Sequence, residues 1–117
     1  MNPCFETATS LARAIRKGKL TSREATEAHL DRIDRLNESI NALVVVDREH
    51  ALKAARAADR TAAKTGAKRG PLHGVPITIK EAFDVAGLHT TSSHPPLKDN
   101  VAGTDATLSP VCARRGR

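Results

Sequence analysis

The residue with the clearest chemical promise is Lys80, which ends the run Pro76–Lys80 (PITIK) directly after the turn-forming stretch Gly70–Val75 (GPLHGV). Ile77 and Ile79 alternate with Thr78 and Lys80, a period of two that predicts a strand over 76–80. Pro76 suits the first strand position, where its missing amide does least harm. A lysine at the end of a strand, behind a rigid turn, is a positioned amine. Burial disfavours its ammonium form and makes it available as a general base near neutral pH. The same spacing also describes an ordinary solvated strand end, so it marks Lys80 as a candidate and no more.

The other chemistry-bearing residues form no constellation. His29, His50, His89 and His94 lack metal-ligand spacing, and a zinc site needs three or four converging ligands, so neither a metal nor a cofactor is implied. His73, inside G-P-L-H-G, reads as structural. Glu81, directly after the lysine, reads as a group that orients the local loop rather than one that transfers protons. Ser92 and Ser93, adjacent in T-T-S-S-H, read as loop residues. Cys4 and Cys112 lie at opposite ends without C-x-x-C spacing, so two free thiols are expected in place of a disulfide framework.

The elements that must position Lys80 are mostly helical. Thr7 can cap a helix carrying Leu11, Ala14 and Ile15 and stopping at Gly18. Thr21 and Glu24 make a capping box for a second helix with Ala25, His29, Ile33 and Leu36 on one stripe, the two forming a helical hairpin. Asn37–Asn41 reads as a turn. Leu43–Val46 suits either a buried strand or the entry to the next helix, which periodicity cannot separate. Asp47 can cap a third helix with an alanine stripe (Ala51, Ala54, Ala55, Ala58, Ala62) running to Gly66. Residues 81–103 are rich in Gly, Pro, Ser and Thr, a loop long enough to suggest function or poor order, and Asp105 can cap a last helix.

With 117 residues, the chain has room for one core, burying roughly two-thirds of the surface exposed on unfolding. That core must be aliphatic, because Phe5 and Phe83 are the only aromatics among Phe, Tyr and Trp. No run approaches the roughly 18 apolar residues of a membrane span, and the first ten residues lack the form of a secretion signal. A cytoplasmic protein without a membrane partner is expected. Nineteen Lys+Arg against thirteen Asp+Glu give a net charge of +6. Nucleic acid is nevertheless not the expected partner: Arg13, Arg16, Arg32, Arg35, Lys53 and Arg56 are interspersed with Glu24, Glu27, Asp31, Asp34, Glu49 and Asp59, and no stacking aromatics accompany them.

The order of the motifs is more informative than any one of them. G-P-L-H-G-V-P-I-T-I-K-E (70–81), F-D-V-A-G-L (83–88) and T-T-S (90–92) closely resemble the segment around the catalytic lysine of the amidase signature family. Upstream, L-A-R-A-I-R-K-G-K-L-T-S-R-E (11–24) and I-N-A-L-V-V-V (40–46) resemble its amino-terminal helices, so the likeness spans about residues 5–108. The resemblance implies an α/β fold, α/β/α layered around a mixed sheet, of which this chain holds the amino-terminal part. It also implies hydrolysis of small carboxylic amides by a serine, cis-serine, lysine triad, with Lys80 matching the lysine, held neutral to accept a proton through the bridging serine. The nucleophile's activation and its oxyanion hole then follow ordinary principles.

No segment of the chain resembles the Gly/Ser-rich signature that carries the two serines and the oxyanion donors, so the chain by itself is not expected to hydrolyse amides. The likeness fades after Asp105–Leu108. Residues 1–108 therefore read as an incomplete amidase domain and 109–117 as a tail outside the family pattern, with Pro110 inside a would-be helix. Encoded with GC-rich codons and read two bases later, Ser109–Arg117 becomes A-R-L-R-A-A-G-P, close to the continuation the family pattern calls for. A frameshifted tail is the resulting expectation, and the gene's nucleotides test it. The tail holds Arg114, Arg115 and Arg117, so without it 16 cations face 13 anions. Two alternatives remain: the A subunit of a glutamyl-tRNA amidotransferase, which works with other subunits, and a small basic helical protein binding an acidic partner.

Overall fold

The structure, a computed structural model, describes residues 1–107. It divides into two compact units, Met1–Pro76 and the residues from Ile77 onward.

The first unit is helical, and local chemistry sets its boundaries. Helix α1 (Ala8–Arg16) starts where the Thr7 hydroxyl accepts the Ser10 amide at 3.1 Å. It ends in a Schellman turn: the Lys19 amide donates to the Ala14 carbonyl at 3.0 Å and the Gly18 amide to Ile15 at 3.1 Å. Gly18 takes the left-handed φ of +67° that this turn requires. Helix α2 (Ser22–Ile40) opens with the reciprocal Thr21–Glu24 box, its two bonds 3.0 and 2.8 Å long. Helix α3 (Arg48–Ala62) opens with the Asp47 carboxylate accepting the His50 amide at 3.2 Å.

Two boundaries differ from the sequence expectation. Asn37–Ile40, expected as a turn, complete α2, because the helix stops only where Asn41 turns left-handed at φ +50° and its amide returns to the Asn37 carbonyl at 2.7 Å. The Asn37 side chain also clasps the Leu43 amide and carbonyl at 2.9 and 2.8 Å. Helix α3 ends at Ala62 rather than near Gly66. Leu43–Val46 is irregular, with Val44, Val45 and Val46 exposed.

Helix α2 packs on α3 and on the Pro3–Phe5 turn. The buried aliphatic residues of this unit are Leu11, Ala12, Ala14 and Ile15 of α1, Ala25 and Leu30 of α2, and Ala55 of α3. Polar bonds join these helices to the G-P-L-H-G turn. The fully buried Ser22 hydroxyl donates to the Gly74 carbonyl at 2.7 Å, and the Arg16 guanidinium donates to the Gly70 carbonyl at 3.2 Å. Gly74 has φ +77°, and a Cβ there would lie 2.9 Å from Ser22 Cβ and 3.3 Å from Ile15 Cγ2, so close approach and dihedral both demand glycine.

The second unit is a loop structure held by a few backbone bonds. Segments 87–90 and 100–102 run antiparallel: Gly87 donates to Ala102 at 2.8 Å, Ala102 to Leu88 at 3.0 Å and Thr90 to Asn100 at 3.1 Å, around a single bridge between His89 and Val101. A 3-10 turn, Pro95–Leu97, connects them. The strand expected over 76–80 does not form, and no strand or mixed sheet is present among the described residues. Alternation records which side chains can face opposite ways; a strand also needs a hydrogen-bonded neighbour, and no described segment pairs with 76–80. Asp105, a helix cap by its sequence, instead accepts the Ala86 amide on Oδ1 at 2.9 Å. The helix expected beyond it, Pro110, Cys112 and the 109–117 tail lie outside the described residues. Among those described, no helix is long and apolar enough to cross a membrane.

Candidate functional site

Lys80 lies on the second unit, exposed, at the start of a turn in which its carbonyl accepts the Phe83 amide at 2.9 Å. The expectation of a lysine on a strand end thus resolves into a lysine that opens a turn.

Glu81 follows inside the same turn and is half-buried. Its carboxylate reaches across ten residues of sequence. The Thr91 amide donates to Oε1, and the Ser92 amide donates to Oε2 at 2.9 Å. These amides hold the Glu81 carboxyl below its ordinary value of 4.5, the Thr91 amide contributing most, followed by the Thr91 hydroxyl. Burial opposes the shift, while the Ser92 amide and the charge of His89 add smaller contributions in the same direction.

The loop that Glu81 holds has a demanding backbone. Ser92 and Ser93 are consecutive left-handed residues, at φ +50° and +57°. Such dihedrals cost a non-glycine residue about 1 kcal/mol or more each unless surrounding bonds enforce them. The enforcing bonds are the two to Glu81, the His94 amide to the Thr91 carbonyl at 2.8 Å, and the Ser93 amide to the Thr91 hydroxyl at 3.3 Å. Both serines are exposed. Among the described residues, no hydrogen bond pairs either hydroxyl with the exposed Lys80 amine.

His73, His29 and Cys4 have structural partners. His73 is buried and its Nε2 lies 2.9 Å from the Ala58 carbonyl. A carbonyl only accepts, so Nε2 is the donor in this bond, and Nδ1 has no hydrogen-bond partner among the described residues. His29 Nδ1 bonds the Ala25 carbonyl at 2.8 Å, and the Cys4 thiol donates to the Ala28 carbonyl at 3.2 Å. No group of three or more His, Cys, Asp and Glu among the described residues is placed to hold a metal ion. Two hollows of about 290 and 300 Å³ open on the first unit, and Lys80 lines neither.

Two features were not legible in the sequence. Asp59 accepts the Ser22 amide at 2.7 Å and the Arg23 amide at 3.0 Å, so a side chain of α3 completes the first turn of α2. The Glu81 clamp was signalled only by an acid following the lysine, without indication of which amides it would take.

These observations match a known group of proteins. The chain fits the family model described as Amidase over residues 24–116. It is 48% identical over 101 residues to indoleacetamide hydrolase of Bradyrhizobium diazoefficiens, covering 86% of this chain and 19% of that protein. It is 43% identical over 103 residues to the A subunit of the glutamyl-tRNA(Gln) amidotransferase of Streptomyces avermitilis, covering 88% and 20%, and 42% identical over 101 residues to an acylamidase of Rhodococcus erythropolis, covering 86% and 21%. Among solved structures, fatty acid amide hydrolase superposes with a TM-score of 0.90 at 25% identity, over 97% of this chain and 20% of that one. The chain thus spans about a fifth of the length of the curated relatives it matches. With four-fifths of its residues inside the family model and the lysine motif in place, the chain belongs to the amidase signature family.

Proposed function

We propose that this chain is the amino-terminal part of an enzyme hydrolysing carboxylic amides to an acid and ammonia or an amine, with Lys80 as its base. The observation that carries the reading is the motif block at 70–92 within a chain 48% identical to an indoleacetamide hydrolase. In this mechanism a serine hydroxyl attacks the amide carbon, and its proton passes through a bridging cis-serine to Lys80. Backbone amides stabilise the tetrahedral oxyanion, and the proton then goes to the leaving nitrogen. Water attacks the resulting acyl ester and regenerates the serine. The chain supplies the lysine, and no segment of it resembles the one bearing the two serines, so the 117 residues alone are inactive.

A chimera tests this. Residues 1–107 replace the matching fifth of the Bradyrhizobium indoleacetamide hydrolase, and ammonia release from indoleacetamide is measured. Hydrolysis that falls by at least about a thousandfold in Lys80→Met, with the circular dichroism unchanged, supports the reading. Equal rates with and without Lys80 refute it.

A second reading, part of an amidotransferase that releases ammonia from glutamine, is favoured by the 43% identity to the A subunit of the Streptomyces enzyme. It predicts that the corresponding chimera with that protein supports glutamine hydrolysis in the assembled complex, whereas the indoleacetamide hydrolase chimera stays inactive.

A further inference from the structure

Glu81 is not explained by the chemistry above. A carboxylate adjacent to a proposed base ordinarily invites a proton-transfer role, but both of its oxygens are occupied by amides of a loop ten residues away. Successive backbone amides converging on one anion form a concave nest. Here the anion is the chain's own side chain, and the nest is the entrance to the left-handed pair Ser92–Ser93. The anchor sits in the turn closed by the Phe83 amide on the Lys80 carbonyl, so the peptide unit that Lys80 and Glu81 share is tied to the loop.

We propose that Glu81 is a positioning residue: its carboxylate is the anion around which the Thr91–Ser93 loop is built, and by that anchor it fixes the backbone from which Lys80 projects. The catalytic sense of this rests on Lys80 being the base, whereas the clamp itself can be read without any hydrolysis. The lowered pKa of Glu81 agrees with the geometry, and His89 is the other titratable group that acts on it among the described residues.

The test uses the whole 117-residue chain and nuclear magnetic resonance. In the unaltered protein, the Thr91 and Ser92 amide protons should resonate downfield and move upfield together on acidification, with one midpoint below 4.5. In Glu81→Ala the downfield shifts are lost, and the backbone order parameter at Lys80 drops from about 0.85 towards 0.6. Added formate refills the nest and restores both amide shifts with saturation. Glu81→Gln, which keeps one acceptor oxygen and cannot titrate, should hold at most one shifted amide and show no acid midpoint. The Thr90 and Ala102 amides, bonded elsewhere, report whether the second unit persists in each variant.

Thr91 and Ser92 amides that ignore acid in the unaltered protein overturn the proposal, even if every variant unfolds. So do unchanged amides, or an unchanged order parameter at Lys80, in a folded Glu81→Ala protein. Because no rate is measured, a failure of the amidase reading leaves this result intact.

Discussion

At the scale of single residues, positions with no chemistry of their own decide the local geometry. Gly74 is the clearest: its left-handed φ and the 2.9 Å approach to Ser22 Cβ leave no room for a side chain. Gly74→Ala should destabilise the protein by about 2 kcal/mol, read from the midpoint of a urea titration. Acid acts through two carboxylates. Glu24, held by the Thr21 amide and hydroxyl, and Glu81, held chiefly by the Thr91 amide, both have carboxyls lowered from 4.5 in the folded chain. A lowered folded value means stability that is fully present above about pH 4.5 and lost as pH falls through the lowered values. The melting temperature should therefore be level down to the pH where unfolded carboxyls begin to protonate, then decline. In Glu81→Gln the part of that decline due to Glu81 should vanish. The residue scale was also where the sequence was least explicit: a lone His73 or Asp59 does not reveal which carbonyl or amide it will meet 15 or 37 residues away.

At the scale of elements, the first turn of α2 shows how helix starts are secured. Four amides there need acceptors. Asp59 takes those of Ser22 and Arg23, the Thr21 hydroxyl takes that of Glu24, and the Glu24 carboxylate takes that of Thr21. Thr21→Ala should cost about 1 kcal/mol. Asp59→Ala should cost about 1–3 kcal/mol, because Ser22 is buried and its amide loses the Asp59 carboxylate as acceptor. Both act on one turn, so the double variant should deviate from the sum of the singles by at least about 0.5 kcal/mol in a denaturation cycle. Helix starts were legible because Thr7, Thr21 with Glu24, and Asp47 cap within three residues of themselves. The end of α2 was misread because Asn37, a common turn residue, spends its side chain on Leu43 beyond the helix. The strand at 76–80 was misread because its pattern contains no information about a neighbour.

At the scale of the whole molecule, composition and family membership point in different directions. Length, charge and an aliphatic core describe a small basic helical protein, whereas the motif order and the match over residues 24–116 describe about a fifth of an amidase. Lys80 stands out as a candidate only through that order, since its spacing alone equally fits a solvated strand end. The helical binding-protein alternative predicts a stably folded chain with a cooperative thermal melt followed by far-ultraviolet circular dichroism. The amidase-fragment reading predicts instead a marginally stable chain, whose melt lies at a lower temperature than that of the chimera carrying residues 1–107. The most direct measurement remains ammonia release by the chimera carrying residues 1–107, compared with its Lys80→Met form. Hydrolysis of indoleacetamide that depends on Lys80 by about a thousandfold or more is the predicted result, and hydrolysis that persists unchanged without the lysine contradicts the assignment.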